Sequence, residues 1–130
     1  GDKGAKGDKG DAGQNGVVAP IADEYSSVNL PANTELALGA TAVPAGKYMI
    51  TATARVFSLG TAIMGCAIST NGGGGSSESA TWSSPAANSR TTLPLQMVTE
   101  SANVTQVTVS CHPGITNGSA SANVIVTPVQ

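Results

Sequence analysis

Long apolar runs are absent from these 130 residues. No stretch reaches the roughly eighteen apolar residues that a spanning helix needs, and no charged-then-apolar leader opens the chain, so neither membrane insertion nor a retained signal peptide is expected. Gly1 reads as a cut into something longer. Aromatic residues are almost missing too, with only Tyr25, Tyr48, Phe57 and Trp82 present. The apolar content comes from Ala, Val, Ile and Leu, side chains that suit thin, closely packed sheets.

Charge is equally sparse beyond Glu24. Every Asp lies at or before Asp23, and beyond Glu24 the charged residues are Glu35, Lys47, Arg55, Glu78, Arg90 and Glu100. The formal net charge is −2. Nucleic acid or an anionic membrane calls for clustered Lys and Arg, and no segment supplies such a cluster, so neither is expected as a partner.

The usual carriers of catalysis are few. His112 is the only histidine and sits in His112-Pro113-Gly114, where it reads as a turn residue with no nucleophile to serve. Sugar hydrolysis requires two carboxylates at a defined separation. The chain offers isolated Glu35, Glu78 and Glu100, with Asp23 and Glu24 further upstream. The Gly72 to Gly75 run lacks the Lys-Ser/Thr that completes a phosphate loop and reads as a hairpin tip. Two cysteines without Cys-x-x-Cys spacing, and one histidine, do not make a metal site. No enzyme activity, cofactor or metal is expected.

What the sequence does contain is a strict period. Glycine occupies positions 1, 4, 7, 10, 13 and 16, giving the triplets GDK, GAK, GDK, GDA and GQN. Gly1, Gly4, Gly7, Gly10, Gly13 and Gly16 fit the Gly-X-Y rule of the collagen triple helix, in which every third residue faces an axis too crowded for a side chain. A flexible linker would mix glycine with serine out of phase, and this segment has no serine. The period therefore predicts three chains.

Proline is missing from all five triplets, so the extended conformation is not pre-set. Two Lys-Gly-Asp runs, Lys6 with Asp8 and Lys9 with Asp11, supply ion pairs between chains. Each is worth about 0.2 to 1 kcal/mol when exposed. The larger support is expected from a trimeric head that holds the stalk ends together. Sixteen residues at about 3.1 Å each make a rod of roughly 50 Å, a spacer in form.

The organisation expected is a stalk over 1–16, a junction over 17–27 and an all-β head over 28–130. In the head, Gly46 to Leu59 alternates with Tyr48, Ile50, Ala52, Ala54, Val56 and Ser58 on one face. Thr61 to Thr70, Asn103 to Cys111 and Ala122 to Val129 alternate likewise, with shorter candidates at Glu35 to Val43, Glu78 to Ser84 and Arg90 to Thr99. Turn residues separate them, notably Leu30 to Asn33, Pro44 to Gly46, Pro85 to Asn88, His112 to Gly114 and Asn117-Gly118. Seven or eight such strands predict an antiparallel β-sandwich or jelly roll. Pro94 marks its strand as an edge or a bulge.

Cys66 and Cys111 both fall on apolar strand faces, and a disulfide bridging two strands is favoured over buried free thiols. Trp82, beside Ser83-Ser84, reads first as strand packing and second as a weak candidate for stacking on a sugar.

The stalk followed by the Pro44-Ala45-Gly46-Lys47-Tyr48-Met49-Ile50-Thr51-Ala52 strand resembles the C1q/TNF-like jelly-roll heads of collagen-stalked proteins. The closing segment Ala120 to Thr127 is similar to their final strand, and the Cys66 and Cys111 pattern is similar to heads of bacterial and phage collagen-like fibre proteins. The resemblance implies a homotrimer around a threefold axis, with loops at the end far from the stalk free to meet a receptor. Few aromatics and a proline-free stalk depart from the animal families and point to a bacterial or viral source. The role this implies is extracellular: the distal stalk and knob of a phage tail fibre, binding a bacterial cell-surface glycan or other receptor. The alternatives are a bacterial surface or spore-coat collagen-like protein and, in a different class, a fibre-borne polysaccharide depolymerase.

Overall fold

Alternation builds the central strand. In β3 (Gly46–Ser58) the side chains of Tyr48, Ile50, Ala52, Ala54, Val56 and Ser58 are buried, while those between them face outward or are half covered. A pleated strand with one dry face requires this pattern. The computed structural model describes residues 19–70 and 77–129. The stalk glycines, the Lys6, Asp8, Lys9 and Asp11 pairs and the Gly72 to Gly75 tip lie outside the described residues.

Eight strands occur among the described residues: β1 (Ile21–Leu30), β2 (Leu36–Val43), β3, β4 (Ile63–Thr70), β5 (Ser77–Ser83), β6 (Ser89–Ser101), β7 (Thr105–His112) and β8 (Gly118–Pro128). They form two antiparallel sheets, ordered β1-β8-β3-β6 and β2-β7-β4-β5. Every connection except β4 to β5 carries the chain from one sheet to the other. The result is the jelly-roll sandwich. No helix among the described residues is long and apolar enough to cross a membrane.

The two inner faces meet in one core. Ile50, Val56, Leu93, Leu95, Val124 and Val126 come from the first sheet, and Leu38, Met64, Ile68, Val107 and Val109 from the second. Each fully buried Val, Leu or Ile contributes about 1.5 to 3 kcal/mol relative to exposure. Ala54 and Ala122 pair across β3 and β8 in the middle of the first sheet, which keeps this layer thin. Pro94 lies on β6, an edge strand paired only with β3, where a missing N–H is tolerated.

Sequence and structure differ at β1 and β8. β8 begins at Gly118, four residues before the expected Ala122, and pairs there with Ser58; the backbone passes so close to the Phe57 carbonyl oxygen that an added Cβ would clash with it. β1 begins at Ile21, inside the segment read as junction. Its alternation is broken by a bulge: Tyr25 pairs with Ala122 and Val28 with Ala120, so three steps on β1 match two on β8. A second bulge breaks β2 between Ala37 and Gly39.

The two irregular strands meet at Tyr25. Its ring covers Gly39, where an added Cβ would come within 2.5 Å of the ring. Its hydroxyl donates to Thr41 Oγ1 at 2.5 Å, and Thr41 in turn donates to Asp23 Oδ2 at 2.6 Å. This chain ties β1 of one sheet to β2 of the other. Burial pushes the Tyr25 hydroxyl pKa up, the Asp23 charge adds to the rise, and the Thr41 hydrogen bond opposes it.

Candidate functional site

Antiparallel order puts the four odd-to-even connections at one end of the sandwich. The loops β1–β2, β3–β4, β5–β6 and β7–β8 all gather opposite the end where β1 begins. Local sequence makes three of them tight turns. Asn33 and Asn88 adopt left-handed φ values of 60° and 58°, and Gly114 takes φ 79°. These are turn conformations that Asn and Gly adopt at low cost.

Backbone hydrogen bonds lace these loops together. Asn33 N–H donates to Gly114 C=O at 2.6 Å, and Ala32 N–H donates to Asn117 Oδ1 at 2.9 Å, joining the first loop to the last. Leu59 N–H donates to Asn117 C=O at 3.0 Å. Ser84 N–H donates to Ala62 C=O at 2.8 Å, and Asn88 N–H to Leu59 C=O at 3.3 Å. Beneath them the fully buried Ser58 hydroxyl donates to Gly60 C=O at 2.7 Å. Four loops thus behave as one surface, whose ordering entropy is spent on folding and not on binding.

That surface is partly apolar and sparsely charged, with Glu35 exposed at the end of the β1–β2 loop. A cleft of about 590 Å³ opens there, with Ile63, Ile115, Ser83 and His112 among its walls. Ile63 and Ile115 are 66% and 74% exposed, and the nearby Leu59 is 49% exposed. His112 Nδ1 accepts a hydrogen bond from Gly114 N–H at 3.0 Å, so the neutral ring carries its proton on Nε2. The ring is fixed by the turn it helps to build.

A second concavity lies on the outer face of the β1-β8-β3-β6 sheet, toward the same end. Its volume is about 580 Å³, and Arg55, Arg90, Phe57, Thr92, Ser119 and Ser121 line it. Arg55 donates to Asn123 Oδ1 at 3.3 Å, and the Arg90 guanidinium lies 5.0 Å above the Phe57 ring centroid. No local pattern announces this pairing, because Phe57 and Arg90, 33 positions apart, become neighbours only through the β3–β6 register, which also sets Arg55 opposite Thr92.

The residues singled out in the sequence are dispersed. Cys66 and Cys111 are joined, with Cα atoms 4.0 Å apart and both side chains in the core. Trp82 is half-buried, packs against the core and pairs in register with Met64. Glu35 accepts a hydrogen bond from Ser110 at 3.1 Å. Glu78 lies opposite Ile68, and Glu100 opposite Lys47, on strands of different sheets. No group of three His, Cys, Asp or Glu is gathered among the described residues.

No family model matches the sequence, and no curated protein matches it. Solved structures do match in fold. A structure of infectious bursal disease virus, Gx strain, is similar with a TM-score of 0.56 and 12% identity, over 86% of this chain and 34% of that one. The infectious bursal disease virus VP2 subviral particle gives 0.52 and 9% identity, over 84% and 33%. The chain thus spans about a third of the chains it matches. These likenesses show the jelly-roll fold. The comparisons give the collagen and C1q/TNF parts of the resemblance no support.

Proposed function

We infer that the chain is a non-enzymatic structural component of a virion, the knob of a trimeric fibre that presents its laced loops to a bacterial surface receptor. The observation that carries this reading is the loop end itself. It is pre-ordered by hydrogen bonds between all four loops, it carries little charge, and it exposes Ile63 and Ile115 beside a cleft. Large exposed apolar side chains around a cleft mark an interaction surface.

Two observations support the trimer. The glycine period ends at Gly16, five residues before β1 starts at Ile21. Near that start, the outer face of the first sheet carries Ile125 and Val98, 47% and 53% exposed. Self-association at this end of the face, away from the Arg55 and Arg90 concavity, would cover them. Three weak sites on one rigid head bind a repetitive glycan far more tightly than one.

The fold likeness to virus-particle proteins favours a second reading, a subunit that builds a particle surface. Electron microscopy separates the two, since a fibre subunit gives discrete heads and a particle subunit gives closed shells. Adhesion is tested by staining a panel of bacterial cells with the labelled protein and with Ile115→Asp. Staining that Ile115→Asp abolishes supports the loop end as the contact, and staining indifferent to it removes that assignment. Reducing-sugar release from stained cells would revive the depolymerase.

A further inference from the structure

We propose that the concavity between Arg55 and Arg90 binds an anionic group of an acidic glycan, the carboxylate of a uronic acid or a sulfate ester. The proposal rests on the adhesion reading and names the class of ligand that reading leaves open.

Arg55 and Arg90 are the only arginines in the chain. The β3–β6 register brings them to the same outer face, diagonal to one another across Phe57 and Thr92. Both guanidiniums carry charge at any physiological pH. Neither has a carboxylate partner among the described residues, their contacts being the Asn123 amide and the Phe57 ring. Two unneutralised cations in one concavity of an otherwise nearly uncharged head make a local positive field, and an anion is what it attracts.

The neighbours suit a sugar. On β8, Ser121 lies opposite Arg55 and Ser119 opposite Phe57, and on β6 Thr92 completes the row. Hydroxyls of this kind both donate to and accept from sugar hydroxyls. Both arginines are also pre-oriented. The Asn123 contact uses one N–H of the Arg55 fork, and the Arg90 guanidinium is held over the Phe57 ring, 5.0 Å from its centroid. A volume of about 580 Å³ is within the usual range for small-ligand sites. Two arginines match one anionic group per head. A nucleic acid or anionic membrane needs a longer basic track.

The test is surface plasmon resonance of the full chain on immobilised polygalacturonate and on its methyl ester, which keeps the sugars and removes the charge. The expected result is binding to the acid that is at least about tenfold weaker on the ester and in the Arg55→Gln/Arg90→Gln variant, a factor worth one decade of Kd. Rising ionic strength should weaken it further. Ser121→Glu, which sets a carboxylate beside Arg55, should block binding with the arginines in place, and serves where the double variant fails to fold. Equal binding by the folded double variant and by Ser121→Glu overturns the proposal. So does loss of the oligomer in either variant, which would mean that the arginines pair with acidic residues of a second copy. Inorganic sulfate competing at the same concentration as trigalacturonate would remove the sugar from the proposal. Cell staining keeps the two readings apart: cells stained equally by the parent and the double variant sink this site and leave adhesion standing, whereas a parent that stains no cell sinks adhesion and leaves the polygalacturonate result to decide the site.

Discussion

The ring of Tyr25 covers the bare Cα of Gly39, closing one side of the sandwich where β1 and β2 both bulge. The hydroxyl at the far end of that ring is held by Thr41, so the ring cannot swing aside without losing a buried hydrogen bond.

Gly39→Ala should therefore destabilise the head. The added Cβ would stand 2.5 Å from the ring, and forced overpacking of this kind costs about 1 to 3 kcal/mol. Urea unfolding followed by far-UV circular dichroism should show a lower midpoint with an unchanged slope. Gly65→Ala, where the nearest atom would be 3.6 Å away, is the control that should leave the midpoint nearly in place.

Alkaline pH should weaken the same corner. The Tyr25 pKa is raised above its ordinary 10.0 by burial and by Asp23. Above that value the unfolded chain loses the phenolic proton while the folded chain keeps it. Stability is thus fully present below about pH 10 and falls as pH rises through the folded pKa. Chemical denaturation at a series of pH values should show this decline. Tyr25→Phe, though less stable at neutral pH, should show a shallower one.

The Cys66–Cys111 bridge closes a separation of 45 residues between β4 and β7. In the chain-entropy account, removing it costs about 4 kcal/mol. The Cys66→Ala/Cys111→Ala variant should unfold at a markedly lower denaturant concentration. A midpoint equal to the parent's would show that the bridge does not constrain the unfolded chain.

Thr105 carries the opposite expectation. Its Oγ1 is buried without a hydrogen-bond partner among the described residues, at the start of β7 opposite Val43. Replacing an unsatisfied hydroxyl by a methyl group of the same shape removes a desolvation penalty of about 1 to 3 kcal/mol. Thr105→Val should raise the thermal midpoint, as read by differential scanning calorimetry.

Regular strands were legible from residues alone. β3 could be read face by face because nothing interrupts the period from Tyr48 to Ser58. β1 was not, because the bulge between Tyr25 and Val28 shifts its phase and Asp23, Glu24, Ser26 and Ser27 make the segment look like a linker. The turn residues Asn33, Asn88 and Gly114 announced the loops but not their mutual hydrogen bonds, which depend on strand order. Arg55 and Arg90 were visible as lone charges. Their convergence follows from a register that no local pattern encodes.

Glycine at every third place from Gly1 to Gly16 is the feature from which threefold assembly, and with it the multivalent knob, was inferred. Multi-angle light scattering of the full chain in dilute physiological buffer tests it most directly. The account predicts a particle of three times the 12.8 kDa chain mass, and a particle of one chain mass contradicts it.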